Sequence, residues 1–217
     1  MIDVAVLPAE RATLDDILNA GERLLWSGRP GYGRAFFQPV GDERKLHIAL
    51  FLGAAAMWTS LPFIASQART EALWTFGGVT LVLLCLSYSF AKQRQYVLHN
   101  LAYFITDRRA IVCRRGRNWR FATRVYVVSC PHSARFPYAI LPGRPYPSLR
   151  VGMMLGPDQV QPFGLGLSHP GQPILWGRTS APVLFDYVSE AQTLLELIRS
   201  CTGEGPTAPG IERMAEC

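Results

Sequence analysis

"LHIALFLGAAAMWTSLPFIA", residues 46–65, is the first of two runs in this chain that contain no Asp, Glu, Lys or Arg. The second, residues 72–91, reads "ALWTFGGVTLVLLCLSYSFA". A helix of about 20 residues rises roughly 30 Å, which is the thickness of the hydrocarbon core of a bilayer. The two runs therefore predict a transmembrane helical hairpin with spans over residues 46–65 and 72–91.

Charged residues flank both runs. Their placement favours membrane spans over the alternative, a pair of buried helices in a soluble α/β protein. Glu43 and Lys45 stand just before the first run, and Lys92 and Arg94 follow the second. The link at residues 66–71 holds a single basic residue, Arg69. Because Lys and Arg near the ends of spans stay on the cytoplasmic side, the pattern predicts a multi-pass membrane protein with both termini in the cytoplasm.

Positive charge is concentrated after the second run. The chain has 217 residues, 49% of them hydrophobic, and a net charge of +6. Residues 92–150 carry twelve basic residues against one acid, Asp107, whereas the rest of the chain has more acids than bases. Each basic residue near an anionic membrane surface contributes about 1 kcal/mol of attraction. We therefore expect anionic lipid headgroups to contact the arginines of one segment: Arg108, Arg109, Arg114, Arg115, Arg117 and Arg120. The alternative is a topology signal with no specific ligand.

Short segments of strand type follow the second run. They cover residues 101–106, 109–115, 119–129, 147–154, 159–163, 173–177 and 182–186. Gly and Pro separate them, which indicates an antiparallel sheet. Thr106 and Asp107 are the expected turn residues between the first two strands. A helix then repeats Leu194, Leu195 and Ile198 at helical spacing, so these side chains are expected to pack against the sheet.

These patterns divide the chain into four parts. Residues 1–45 form a cytoplasmic segment with a short amphipathic helix, in which Thr13 and Asp16 resemble a capping box. Residues 46–91 form the hairpin, residues 92–201 the cytoplasmic domain, and residues 202–217 a disordered tail. Prolines crowd residues 131–147, and the sequence leaves the strand register there open.

Motifs of catalysis and metal binding are missing from the sequence. It contains no H-E-x-x-H, G-x-S-x-G, Walker A or dinucleotide fingerprint. The five cysteines show no C-x-x-C spacing, and Cys130 with His132 has no second ligand pair beside it. We therefore expect a protein that is not an enzyme, with no catalytic residue, no cofactor and no metal.

Aromatic residues alternate with arginines near residue 120, a pattern also typical of single-stranded nucleic-acid binding. Trp119, Phe121 and Tyr126 lie among Arg117 and Arg124. A phosphate backbone bound there would have to approach the anionic membrane surface. We therefore expect no nucleic-acid partner.

Three segments together resemble the bacterial PH-domain (pleckstrin-homology-like) membrane proteins. They are "GERLLWSGRP" at residues 21–30, "YFITDRRAIV" at residues 103–112, and "LFDYVSEAQTLLELI" at residues 184–198, with the helical hairpin after the first. The similarity covers residues 21 to about 200. It implies an α+β membrane protein in which a PH-like antiparallel β-barrel, closed by a C-terminal α-helix, follows a two-helix transmembrane hairpin.

The resemblance also implies a class of function. Its members resemble lipid- or protein-binding modules without generally shared catalytic residues. We expect a non-enzymatic protein of the bacterial inner membrane whose cytoplasmic domain binds anionic lipid headgroups. The alternative is a scaffold or assembly factor that docks another membrane protein or complex through the PH-like domain. The expected partners are anionic membrane lipids, with another membrane protein or a homo-oligomer as the alternative.

Overall fold

The computed structural model describes residues 2–8, 14–117, 123–155 and 180–203. Arg120, the predicted strands at residues 159–163 and 173–177, and the tail from residue 204 lie outside these ranges. The helices and strands, in chain order, are β1 Asp3–Pro8, α1 Leu14–Ile17, β2 Leu24–Gly28, α2 Gly41–Thr59, α3 Arg69–His99, β3 Leu101–Thr106, β4 Arg109–Arg117, β5 Thr123–Pro131, β6 Ala139–Leu141, β7 Ser148–Leu155, β8 Ser180–Phe185 and α4 Ala191–Cys201.

Two helices, α2 and α3, are long and apolar enough to cross a membrane. The most apolar 18-residue window of each has none of its residues buried inside the protein, so each presents an apolar surface outward. Pro62 lies in a short 3₁₀ turn, Leu61–Phe63, directly after α2. Since proline cannot donate the next helical hydrogen bond, α2 ends earlier than the predicted span, at Thr59. Helix α3 continues past its predicted span to His99.

The strands form two antiparallel sheets, so the described chain is α+β as predicted. The larger sheet has the order β1-β5-β4-β3-β2, and the smaller has the order β6-β7-β8. Within the described residues no ladder joins the edges of the two sheets, so they do not close into the predicted barrel. Strand β6 fixes the register in the proline-rich region, because Ala139 pairs with Arg150 and Leu141 with Ser148.

The N-terminal segment contributes two strands that the sequence analysis missed. Strand β1 pairs with β5, and β2 pairs with β3. Of the predicted amphipathic helix, the described residues show one turn, Leu14–Ile17, and Gly21, at a φ of +73°, follows it in a conformation that favours glycine. Every second residue of β2, including Leu24 and Trp26, is half-buried, which is the period of a strand.

Helix α4 packs its predicted face into the main hydrophobic core. Leu194, Leu195 and Ile198 are each less than 7% exposed, which confirms that part of the prediction. At the centre of this core, the ring of Tyr103 stacks on Phe185 at 4.7 Å. The core also includes Val97 and Leu98 near the end of α3, so the long helix is anchored in the sheet domain.

Candidate functional site

Two of the segments that carry the family resemblance, residues 21–30 and 103–112, contact each other at one buried carboxylate, Glu22. Its Oε1 lies 2.6 Å from Thr106 Oγ1 and accepts a hydrogen bond of 2.9 Å from Arg109 Nε. Its Oε2 accepts from Arg109 Nη2, also at 2.9 Å, and from the backbone N–H of Asn19 at 2.7 Å. The guanidinium thus grips both carboxylate oxygens, which is the strong bidentate geometry.

Glu22 is held ionised by these partners. Burial by itself would raise the pKa of Glu22, but the hydrogen bonds from Arg109, Thr106 and the Asn19 N–H outweigh it and lower the pKa to about 2. Arg109 also donates to Ser129 Oγ and to the carbonyl of Ile17. Its side chain is 13% exposed. Arg109 is predicted to contact lipid, but its guanidinium N–H groups donate hydrogen bonds inside the domain.

The turn between β3 and β4 is held by Thr106 and Asp107. Thr106 Oγ1 accepts the backbone N–H groups of Arg108 and Arg109. Asp107 Oδ1 accepts the N–H of Arg23 at 3.0 Å, and the Asp107 N–H donates back to the Arg23 carbonyl. Both residues therefore act in the turn and tie it to β2.

Three of the predicted lipid-contacting arginines, Arg114, Arg115 and Arg117, lie at the other end of the β3–β4 pair. Arg114 pairs with Leu101, at the start of β3, whereas Ile105 pairs with Ala110 beside the turn. At about 3.3 Å per residue, the two ends are roughly 13 Å apart. Arg108 is exposed at the turn end. The structure thus separates the predicted arginines into two groups and does not bring them together.

The group that includes Arg114 lies beside the end of α3. The Arg114 guanidinium is 5.6 Å from the centre of the Tyr96 ring, in cation–π geometry, and burial lowers its pKa. The Arg115 N–H donates to the Asn100 carbonyl at 3.0 Å, and its side chain is exposed. Arg124, on β5, is exposed opposite Gly116. We call Arg114, Arg115 and Arg124 the helix-proximal arginines. Arg117 is the last residue of β4.

A buried ion pair joins the two long helices at their base. Arg94 Nε on α3 lies 3.0 Å from Glu43 Oε2 on α2, and both side chains are fully buried. Arg94 also donates to the carbonyls of Gln38 and Phe36, in the segment that leads into α2. Sequence reasoning had treated Glu43 and Arg94 only as charges that flank the spans. The available signal was that Glu43 lies just before the first uncharged run and Arg94 just after the second.

The segment between β2 and α2 fills the space between the hairpin base and the sheet domain. Gly33 has a φ of +82°, and a Cβ there would come within 2.5 Å of Leu98 Cδ1, so the position requires glycine. Phe37 is 89% exposed beside the apolar helices. The Lys92 ammonium lies 5.9 Å from the centre of the Phe36 ring and 5.7 Å from that of Tyr88.

The candidate metal ligands and the buried thiols can be assessed in the part of the chain that the structure describes. No group of three His, Cys, Asp or Glu there is placed to hold a metal ion. Burial raises the pKa of Cys113 and that of Cys130 to about 12, so both thiols stay protonated and unreactive at neutral pH.

Comparison of the chain with models of protein families, with curated proteins and with solved structures gives no match.

Proposed function

We propose that this chain is a non-enzymatic integral membrane protein whose sheet domain lies against anionic lipid headgroups through the helix-proximal arginines. The two helices form the hairpin in the bacterial inner membrane, with both termini on the cytoplasmic side. The proposal keeps the resemblance to bacterial PH-domain membrane proteins. What supports the resemblance is the contact between its two motifs, through Glu22, Thr106 and Arg109.

The observation that carries the proposal is the position of Arg114 and Arg115 beside the end of α3, with Arg124 on the next strand, opposite Gly116. If the apolar span ends at Ala91, then Asn100 lies about 13 Å along the helix axis from the hydrocarbon edge. The headgroup layer adds roughly 6 Å on each side of the core. Exposed arginine side chains beside Asn100 therefore lie within about a Debye length, 8–10 Å, of charged headgroups.

The arginines at the turn between β3 and β4 lie farther from the membrane surface than the helix-proximal arginines. The end of β2 leads into the segment that contacts the hairpin base. Because β3 is antiparallel to β2, β3 starts near that base and runs away from it toward the turn. Arg108, at the far end of β3, is then at least a further Debye length from the surface and contributes little. Arg109 contributes less still, since Glu22 holds it.

Hydrogen exchange of the full-length protein in nanodiscs tests this proposal. We expect amides near residues 114–126 to exchange more slowly in phosphatidylglycerol than in phosphatidylcholine, with the difference fading at high salt. The double variant Arg115→Gln/Arg124→Gln should lose most of that difference, because two basic residues supply about 2 kcal/mol.

The chain offers a matched control. Arg108→Gln/Arg135→Gln removes the same charge from exposed positions at the turn end, where the His132 N–H bonds the Arg108 carbonyl. This variant should respond to lipid like the parent. Equal responses of both double variants and the parent would overturn headgroup binding, and docking of another membrane protein would become the leading function.

A further inference from the structure

We infer that the hairpin holds one anionic phospholipid in a groove between α2 and α3, with its acyl chains along the groove and its phosphate beside Lys92. This inference rests on the proposed membrane hairpin and adds a specific lipid site to it. The groove has a volume of about 900 Å³. That volume lies in the range of cavities that hold small ligands.

The walls of the groove are apolar stripes that face each other. Leu50, Ala54 and Trp58 follow one face of α2, and Thr80, Leu84 and Tyr88 follow one face of α3. The spacings of three to four residues keep each set on one side of its helix. Two polar side chains in the walls are paired internally: His47 Nε2 lies 3.3 Å from the Ser87 carbonyl oxygen, and Trp58 Nε1 donates to Thr80 Oγ1 at 2.9 Å. Such walls suit hydrocarbon.

The length of the groove favours acyl chains over a partner helix. Its deepest lining residues are Trp58 and Thr80, which are hydrogen-bonded to each other, and the Trp58 ring meets the Phe76 ring edge-on at 6.0 Å. From Thr80 to Ala91 is eleven residues of α3, or about 16 Å. One leaflet of the hydrocarbon core is about 15 Å thick, whereas a partner helix would need roughly 30 Å of continuous surface.

The charge at the mouth of the groove selects the headgroup. Phe36 and Tyr88 line the mouth, and the Lys92 ammonium lies over both rings. Lys92 is exposed, as is Arg44 near the start of α2. Lys45, by contrast, is paired with Asp42 at 2.7 Å. A phosphate at this level meets Lys92 while its acyl chains enter the groove.

Native mass spectrometry of the full-length protein tests the site. The protein is reconstituted in equimolar phosphatidylglycerol and phosphatidylcholine with identical chains and is then extracted in mild detergent. We expect one retained phosphatidylglycerol per chain. Ala54→Phe fills the groove and should reduce the retained fraction at least tenfold. Ala56→Phe, an exposed position of α2 outside the groove, should retain lipid like the parent.

A second variant tests the headgroup contact without altering the groove. Lys92→Gln should still retain lipid, but its preference for phosphatidylglycerol should fall by about fivefold, which is what one basic residue near an anionic group supplies. No lipid on the parent, equal retention by Ala54→Phe and the parent, or an unchanged preference in Lys92→Gln would each overturn the inference. Lipid-dependent hydrogen exchange at residues 114–126 would survive those results, so the two proposals fail separately.

Discussion

Replacing Arg94 with Met should lower the stability of the full-length protein by about 3–5 kcal/mol, because it removes the basic side chain that is paired with the buried Glu43 carboxylate. Glu43 and Arg94 are both fully buried, and Arg94 also satisfies the carbonyls of Gln38 and Phe36. For a chain of this size the loss corresponds to a Tm lower by roughly 6–20 °C. Thermal melting in a nonionic detergent, followed by circular dichroism, measures it.

Two further variants isolate the cause. Lys45→Met removes an exposed pair with Asp42, which is worth at most about 1 kcal/mol, and should melt close to the parent. Arg94→Met/Glu43→Met removes both charges and should recover part of the loss, since a buried pair can be replaced by apolar side chains. The recovery stays incomplete because the two carbonyls still lack their donor. If Arg94→Met and Lys45→Met have the same Tm, the Glu43–Arg94 pair does not hold the two long helices together at their base.

Glu22→Gln should remove on the order of 3 kcal/mol of stability at neutral pH, and the loss should depend on pH. The folded pKa of Glu22, about 2, lies below its ordinary 4.5. As the pH falls, Glu22 is therefore protonated in the unfolded chain before it is protonated in the folded protein. The stabilisation is complete above about pH 4.5 and is lost as the pH falls toward 2. Urea unfolding at several pH values should show parent and variant converging near pH 2.

Glu196→Gln is the control for this acid. Glu196 is exposed on α4 and accepts a hydrogen bond from Gln192. Its removal should leave stability nearly unchanged at every pH. A gap between parent and Glu22→Gln that stays constant from pH 7 to pH 2 would show that Glu22 acts by packing and not by its charge on Arg109.

Sequence patterns were sufficient for elements with a long uncharged run or with burial that follows a single period. The span patterns placed two long helices, and the spacing of Leu194, Leu195 and Ile198 gave the buried face of α4. Strand β2 was missed because Leu24 also fits a helical repeat with the leucines before it. Its pairing with β3 depends on a partner nearly 80 residues away, and no local pattern contains that information.

The arginines show why composition alone predicts only part of a site. Six arginines in one segment indicated a single charged surface, but strand geometry places Arg108 and Arg114 at opposite ends of the β3–β4 pair. The fate of Arg109 depends on Glu22, a residue from another segment, which converts a surface charge into a core contact. Long-range ion pairs of this kind require the folded chain.

Labelling of single cysteines with a membrane-impermeant maleimide in intact cells tests the membrane hairpin most directly. In a background without native cysteines, Gln67→Cys lies in the link between the helices, and Arg135→Cys lies on the exposed surface of the sheet domain. We expect Gln67→Cys to be labelled in intact cells and Arg135→Cys only after the membrane is permeabilised. If the two positions are labelled alike before permeabilisation, or Gln67→Cys only after it, the hairpin does not cross the membrane as proposed.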